Sequence, residues 1–486
     1  MNVPSVDHDC NLMPVLVDMS NEIARLRHEI AQLKKSKYGP RSERLKIPKI
    51  DTGSSSTPEQ QLAKRRQHAK QKNAIETIVV EHKVPSEQRV CPKCGSDNLS
   101  PIGEGRKSSV FEFVPARFVK HEHIQEVLRC SCGDYVVCAP GIPKVIEKGR
   151  YGASFLAHLA VAKCADHLPI YRLEKEFKRQ GFPLARSTMN ELLHRAAQIL
   201  EPLYNRLLDK IRGREVVMAD ETPLRMLDDG KGKAKNGFVW TFMAPDEQGN
   251  ADVGFVFADN RSGETPKRIL GDTTGYLLVD GYSGYNVVSK VSQRKRAGCH
   301  AHLRRYFHEA LAKKPIAKAA IDFIHELYRV EHEAQRQKII GTPQHLQLRQ
   351  ERSLAIREKF KKWLDEQEPL HPPQSPIGRA INHAKRQWVE FGRFLQDARI
   401  PIDNNASERS LRRIAVGRKN YLFVGNAASG ANMAGIYSLI ATCETRNINP
   451  FAYLADVVAR VQDYKAKKLD DLLPGNWAAA QEFKLN

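Results

Sequence analysis

Three acidic residues stand in settings suited to holding divalent cations. Asp220 closes the apolar run Val216-Val-Met-Ala, and Asp280 closes Gly275-Tyr-Leu-Leu-Val. Glu408 lies in Asp403-Asn-Asn-Ala-Ser-Glu-Arg, where Asn404 or Asn405 can cap a helix that carries Glu408 in an early turn. Carboxylate oxygen is the hard ligand that magnesium prefers. Three carboxylates brought together can hold two such ions about 3.5–4 Å apart, a clamp for in-line displacement at phosphorus. Each acid alone also has an ordinary reading. Aspartate before glycine at a strand end is a turn residue, and a helical glutamate beside arginine is a solvated ion pair. Glu221, Asp228, Asp259 and Asp403 are alternatives within reach.

A second chemistry lies in the cysteines. There are nine, an odd number, and they cluster between 91 and 138, which points to metal rather than disulfides. Cys91-Pro-Lys-Cys94-Gly95 is a zinc knuckle, since two thiolates at this spacing grip one ion and the glycine lets the chain turn. Cys130-Ser-Cys132 supplies the second pair, and Cys138 or His121 can replace one member. The expected site is four-thiolate zinc with no open position, hence structural; reduced cysteines without metal are the alternative. Cys299-His-Ala-His302 can also be read as a metal pair. The preferred reading is a core strand entering a helix, with Arg304 and Arg305 available for phosphate and His300 or His302 near it.

The acids need elements to position them. Residues 213–290 alternate as strands do: Val216–Asp220, then the hairpin Phe238–Phe242 and Val253–Phe257 around Pro245-Asp-Glu-Gln-Gly249, a helix over Ser262–Leu270, and Gly275–Asp280. This suits a mixed sheet whose first and fourth strands are adjacent and aim their carboxylates at one point. Upstream, Ile170–Arg179 reads as a helix broken by Gln180-Gly-Phe-Pro183, and Ser187-Thr188-Met-Asn-Glu191 starts another with Thr188 and Glu191 at capping-box spacing. The pair resembles a helix-turn-helix in which Arg186, Ser187, Thr188 and Asn190 face a duplex; an ordinary helical hairpin is the alternative.

The chain has 486 residues and a net charge of 77 − 56 = +21, with 41% hydrophobic residues. Wholesale disorder is excluded, and a nucleic-acid partner is favoured over a basic surface kept for solubility. No apolar run is long enough to span a membrane and no signal peptide is evident, so the cytosol is the expected compartment. Leu16, Met19, Ile23, Leu26, Ile30 and Leu33 are spaced as a coiled-coil seam, with one amphipathic helix docked on its own chain as the alternative. The expected organisation is multidomain α+β. A coiled-coil helix at 12–45 is followed by a flexible basic linker at 46–75 and a small β zinc module at 76–145. A helix-turn-helix-like region at 146–210, a catalytic α/β domain at 211–440 with a helical insertion at about 310–395, and a helical region at 441–486 complete it.

Taken together, the motifs resemble those of insertion-sequence-66 family transposases. They are Ala219-Asp-Glu-Thr-Pro223, Val279-Asp-Gly-Tyr282 with Gly284-Tyr285, Cys299-His-Ala-His-Leu-Arg-Arg305, Asp403-Asn-Asn-Ala-Ser-Glu-Arg409, Gly417-Arg-Lys-Asn420, Phe423-Val-Gly425 and Ala165-Asp-His-Leu-Pro-Ile-Tyr171. The likeness runs from about residue 12 to about residue 465 in one order. It implies a ribonuclease-H-like catalytic core with Asp220, Asp280 and Glu408 as the catalytic triad, served by two magnesium (or manganese) ions, beside a structural zinc. It implies DNA cleavage at element ends and strand transfer into target DNA, action as a dimer or larger assembly, and accessory proteins from the same element. Arg304, Arg305, Arg409, Arg412, Arg418 and Lys419 are candidates for DNA contact. Two other functions remain open at this point: a structure-specific nuclease without strand transfer, and a non-catalytic DNA-binding regulator.

Overall fold

The computed structural model describes residues 117–129, 136–140, 144–147, 149–227, 233–246 and 249–485. The expected coiled coil, the linker, most of the zinc module with Cys91, Cys94, Cys130 and Cys132, and Asp228 lie outside them.

The described chain opens with a short antiparallel pair, β1 (Val127–Arg129) and β2 (Val136–Cys138). Three helices follow: α1 (Ala153–Cys164), α2 (Ile170–Arg179) and α3 (Arg186–Arg212). α3 buries Met189, Leu192, Ala196, Leu200, Leu203, Leu207 and Ile211, a spacing of three and four that lays one apolar stripe along the helix. Gly181 takes φ +77° in the turn between α2 and α3, a conformation that suits glycine. The capping box expected at Thr188 and Glu191 does not form. α3 starts three residues earlier, with Ala185 rather than Thr188 at the N-cap and no side-chain cap, so Thr188 lies inside the first turn.

The sheet is built from β3 (Val216–Leu227), β4 (Ala234–Pro245), β5 (Ala251–Ala258), β6 (Thr274–Val279) and β7 (Gln293–Gly298), with α4 (Glu264–Leu270) and α5 (Asn286–Val291) in the connections. The strand order is β5-β4-β3-β6-β7. β4 runs antiparallel to β3 and β5, while β3, β6 and β7 are parallel. The first and fourth strands are therefore neighbours, as the sequence pattern suggests. β3, however, does not end at Asp220. It stays paired with β4 out to Leu227↔Ala234, and Val424 docks on its far half through Val424 N to Arg225 O and Leu227 N to Val424 O. The strand outlasts its continuous apolar run because pairing with β4 continues beyond Ala219, with only alternate residues, Leu224 and Met226, buried there.

After β7 come α6 (His300–Leu311), α7 (Ala317–Gln337), α8 (Pro343–Leu348), α9 (Leu354–Gln367) and α10 (Pro376–Arg386). They close a second core around Phe307, Ile324, Phe360, Leu364, Ile381 and Phe391. The chain then returns to the sheet with α11 (Asn405–Tyr421), α12 (Ala427–Thr445), α13 (Pro450–Arg460) and α14 (Pro474–Leu485). Helices α1 to α3 share one continuous apolar core with the sheet, so no separate core marks the boundary expected at 210. The boundary expected at 440 falls inside α12.

β5 is an edge strand, and an uncovered edge invites pairing with another chain. Here α12 covers it with hydroxyls. Phe255 N donates to Ser438 Oγ (2.7 Å), Val253 N to Thr442 Oγ1 (3.0 Å), and Thr445 Oγ1 donates to Ala251 O (2.6 Å). Small residues on α12 permit this approach, with Gly430 set against the Phe257 ring. No helix among the described residues is long and apolar enough to cross a membrane.

Candidate active site

The parallel register places Asp220 and Asp280 side by side. Met218 pairs with Leu278, an offset of 278 − 218 = 60, and 280 − 220 is also 60. Both aspartates thus sit two residues past the last β3–β6 pair, level with one another. Each is steadied by a backbone donor: Glu221 N to Asp220 Oδ1 (2.9 Å) and Tyr282 N to Asp280 Oδ1 (2.8 Å). Arg296 on β7 donates to the Asp280 carbonyl (2.8 Å).

Glu408 stands in the first turn of α11, near enough for its charge to bear on Asp220. Asn404 occupies the N-cap position but makes no cap bond. Its Nδ2 donates instead to Ala219 O (2.8 Å), the carbonyl next to Asp220, and its Oδ1 accepts from Ser407 Oγ. Glu408 follows four residues later, on the same helix face. Ser410 Oγ lies 3.2 Å from Thr241 Oγ1 and ties the next turn to β4. At its other end, α11 is held by Arg418, which donates to Thr222 Oγ1 (2.9 Å) and Pro223 O (2.5 Å).

Burial, then the charges of Glu221, Glu408 and Asp280, push the Asp220 carboxyl up to about 7, against one opposing backbone hydrogen bond. Glu408 Oε1 is buried with no hydrogen-bond partner. His302 Nδ1 stands 3.5 Å from that oxygen and Arg305 3.9 Å from Oε2. Carboxylates that crowd Asp220 with negative charge, and a buried Glu408 oxygen without a hydrogen-bond partner, are donors of the kind a hard divalent cation such as magnesium or manganese takes.

The alternative acids are occupied elsewhere or stand apart. Glu221 accepts from Arg261 (2.8 Å to Nε) and from Tyr285 Oη (2.6 Å). Asp403 accepts from Tyr328 Oη (2.7 Å) and from Asn405. Asp259 is exposed beside Asn260. Of the residues expected to meet DNA, Arg186, Ser187, Asn190, Arg409, Arg412 and Lys419 are exposed, while Thr188, Arg304, Arg305 and Arg418 are half-buried. Arg186 also pairs with Glu174 at 3.1 Å. His300 is buried between Phe391 and Phe394, and its Nδ1 faces Ile402 O. A cleft of about 580 Å³ opens beside Asp280, lined among others by Gly281, Arg296, Tyr306, His383 and Arg386.

Sequence reasoning passed over Asn404 as a sheet anchor and Arg296 as a brace. Asn404 was visible only as a helix cap, because its partner lies 185 residues away. Replacing it with alanine leaves Ala219 O without that donor, while Ser407 Oγ keeps only the Asn404 backbone carbonyl (3.0 Å) as acceptor. Asn404→Ala is expected to cost about 1–3 kcal/mol of stability, measured by urea unfolding, and to weaken manganese binding because Glu408 loses its anchor.

Comparison with known proteins gives three family matches: the IS66 transposase family over residues 148–432, the zinc-finger binding domain of IS66 transposases over 88–133, and the IS66 C-terminal element over 438–474. The second spans Cys91, Cys94, Cys130 and Cys132 and supports a structural zinc. Curated relatives include two proteins of Sinorhizobium fredii called uncharacterized protein y4jD and y4qI. The first is 32% identical over 95% of this chain and 96% of its own length, the second 30% identical over 94% and 90%. With a family match running from α1 into α12 and relatives similar almost end to end, the chain belongs to the IS66 family of transposases.

Proposed function

We propose that this chain is a DNA transposase in which Asp220, Asp280 and Glu408 hold two magnesium (or manganese) ions, cut DNA at the ends of an insertion sequence and join the freed 3′-hydroxyl to target DNA. The observation that carries the reading is the level register of Asp220 and Asp280, with Asn404 anchoring the start of α11 beside Asp220 and the charge of Glu408 bearing on that carboxyl. The strand order, with the second strand alone antiparallel, supports a ribonuclease-H-like core. When bound, the ions would lower the pKa of the attacking oxygen and stabilise the leaving oxygen, and both steps are displacements at phosphorus.

The chain's own residues supply the rest. Asp220, Asp280 and Glu408 fix the donor geometry from two strands and a helix, so little reorganisation is needed. Arg305 beside Glu408 offers a positive group to the scissile phosphate. The exposed Arg409, Arg412 and Lys419 on α11 and Arg186, Ser187 and Asn190 at the start of α3 offer contacts to the DNA backbone, with Thr188, Arg304 and Arg418 in support. A zinc module built on Cys91, Cys94, Cys130 and Cys132 would help hold the terminal repeat. The amino-terminal seam would pair subunits so that two ends meet, with accessory proteins of the element assisting in the cytosol.

The test is a cleavage and joining assay on DNA carrying the element's ends. Asp280→Asn and Glu408→Gln are expected to abolish both steps while sparing DNA binding. Full activity in either variant removes that residue from the centre. Cleavage that never leads to joining makes the protein a nuclease instead.

A further inference from the structure

Glu408 has a nitrogen neighbour that the three-acid centre leaves unused. His302 sits in the first turn of α6, directly after β7, with its Nδ1 3.5 Å from Glu408 Oε1. Both atoms are buried, and neither has a hydrogen-bond partner. Leaving two polar atoms buried, adjacent and unbonded costs free energy unless something sits between them. The separation is informative. Two donors that share one ion through bonds of about 2.1 Å, at angles between square and tetrahedral, stand about 3.0–3.5 Å apart. Cys299 Sγ belongs to the same group, all within 4.8 Å of one another, but it already accepts from Asn404 N at 3.2 Å. The other nearby histidines are committed. His383 stacks on Tyr306 with ring centroids 4.1 Å apart and meets the Gln387 amide, and His300 turns into the core.

We propose that His302 Nδ1 is a further metal ligand, binding the same divalent ion as Glu408, so that the centre has a mixed oxygen and nitrogen donor set. This rests on the metal reading of the three acids. Imidazole nitrogen is a softer donor than carboxylate oxygen, so at one position it tilts the centre towards manganese, a transition metal, and away from magnesium.

The test is pulsed electron paramagnetic resonance on the zinc-loaded full chain with manganese added. The expected result is modulation from a directly bound imidazole nitrogen, which changes when histidine is labelled with ¹⁵N. This measurement on the unmutated chain needs no variant to fold. His302→Gln is then expected to remove the nitrogen signal and weaken manganese binding about tenfold or more, while His383→Gln keeps the signal. Manganese bound in an Asp220-dependent way with no nitrogen coupling, or coupling that survives His302→Gln, overturns the assignment of His302 and leaves the three acids standing. Manganese binding indifferent to Asp220→Asn overturns the acid centre and this inference together.

Discussion

Asp220→Asn is expected to make the metal-free protein more stable at pH 8 while reducing DNA cleavage by more than about a thousandfold. The stability gain follows from the carboxyl's raised pKa, about 7 in the folded chain because burial and then neighbouring acids oppose its charge. In the unfolded chain an aspartate titrates near about 3.9. Between those values the folded state binds more protons than the unfolded one, so stability falls as pH rises through the window. Below about pH 4 both states are protonated and the acid costs nothing; above about pH 7 the full penalty applies, at most about 4 kcal/mol. Asparagine keeps the shape and removes the titration. Its advantage should therefore be near zero at pH 4 and reach a few kcal/mol at pH 8, read as a melting-temperature difference that opens with pH.

Manganese should then narrow the gap, and close it at about a thousand times its dissociation constant, where the gain is about 4.1 kcal/mol. An ion that binds only the folded wild type stabilises it by about 2.7 kcal/mol at a hundred times its dissociation constant, and the variant lacks that term. Wild type and Asp220→Asn melting in parallel across pH 4–8 would mean that Asp220 does not share its site with Glu221, Glu408 and Asp280. A gap that opens with pH but is untouched by manganese would keep the buried, raised carboxyl of Asp220 and reject its role as a metal ligand.

What could be read from the sequence followed the range of the interactions. The strands around Asp220 and Asp280 announced themselves through short apolar runs, and the adjacency of the first and fourth strands followed from the hairpin between them. Local pattern also found α2 and α3, and the asparagines at 404 and 405 pointed to the helix bearing Glu408. The end of β3 was misread because residues beyond Ala219 alternate in exposure while pairing continues with β4. The start of α3 was misread because Thr188 and Glu191 have the right types for a capping box, yet the chain is already helical at Arg186. The links that hold the site together were not visible at all. Asn404 to Ala219, Arg418 to Thr222, and the hydroxyls of α12 on β5 each join residues more than 180 positions apart, and no spacing rule reports them.

Arg349→Leu is expected to destabilise the helical insertion by about 3–5 kcal/mol and to weaken manganese binding at a site it does not touch. Arg349 is 1% exposed. Its Nε and Nη2 grip Glu331 at 2.8 and 2.7 Å, and its Nη1 donates to the carbonyls of Phe394 (2.9 Å), Asp397 (3.3 Å) and Ala398 (3.4 Å). Those carbonyls belong to the segment that feeds α11. Tyr328 on α7 adds a second tie through Asp403, one residue before Asn404. The insertion therefore clamps the approach to Glu408 from behind. Burial alone would raise the Glu331 carboxyl, but hydrogen bonds from His345 and Arg349 overcome it and hold it at about 2. In the wild type this pair contributes stability above the unfolded pKa, near about 4.3, and loses it as pH falls through about 2. Leucine at 349 leaves a buried carboxylate with its main counter-charge gone, so the deficit should be larger at pH 8 than at pH 5. Removing both charges in Arg349→Leu/Glu331→Leu should recover much of the loss, because an unpaired buried charge costs more than an apolar replacement of the pair. Hydrogen exchange checks the coupling: faster exchange in Arg349→Leu should extend from α7 through 390–405 into the first turn of α11. Exchange that quickens only within α7–α9, with manganese affinity unchanged, would show that the insertion is stabilised by this arginine but does not position Glu408.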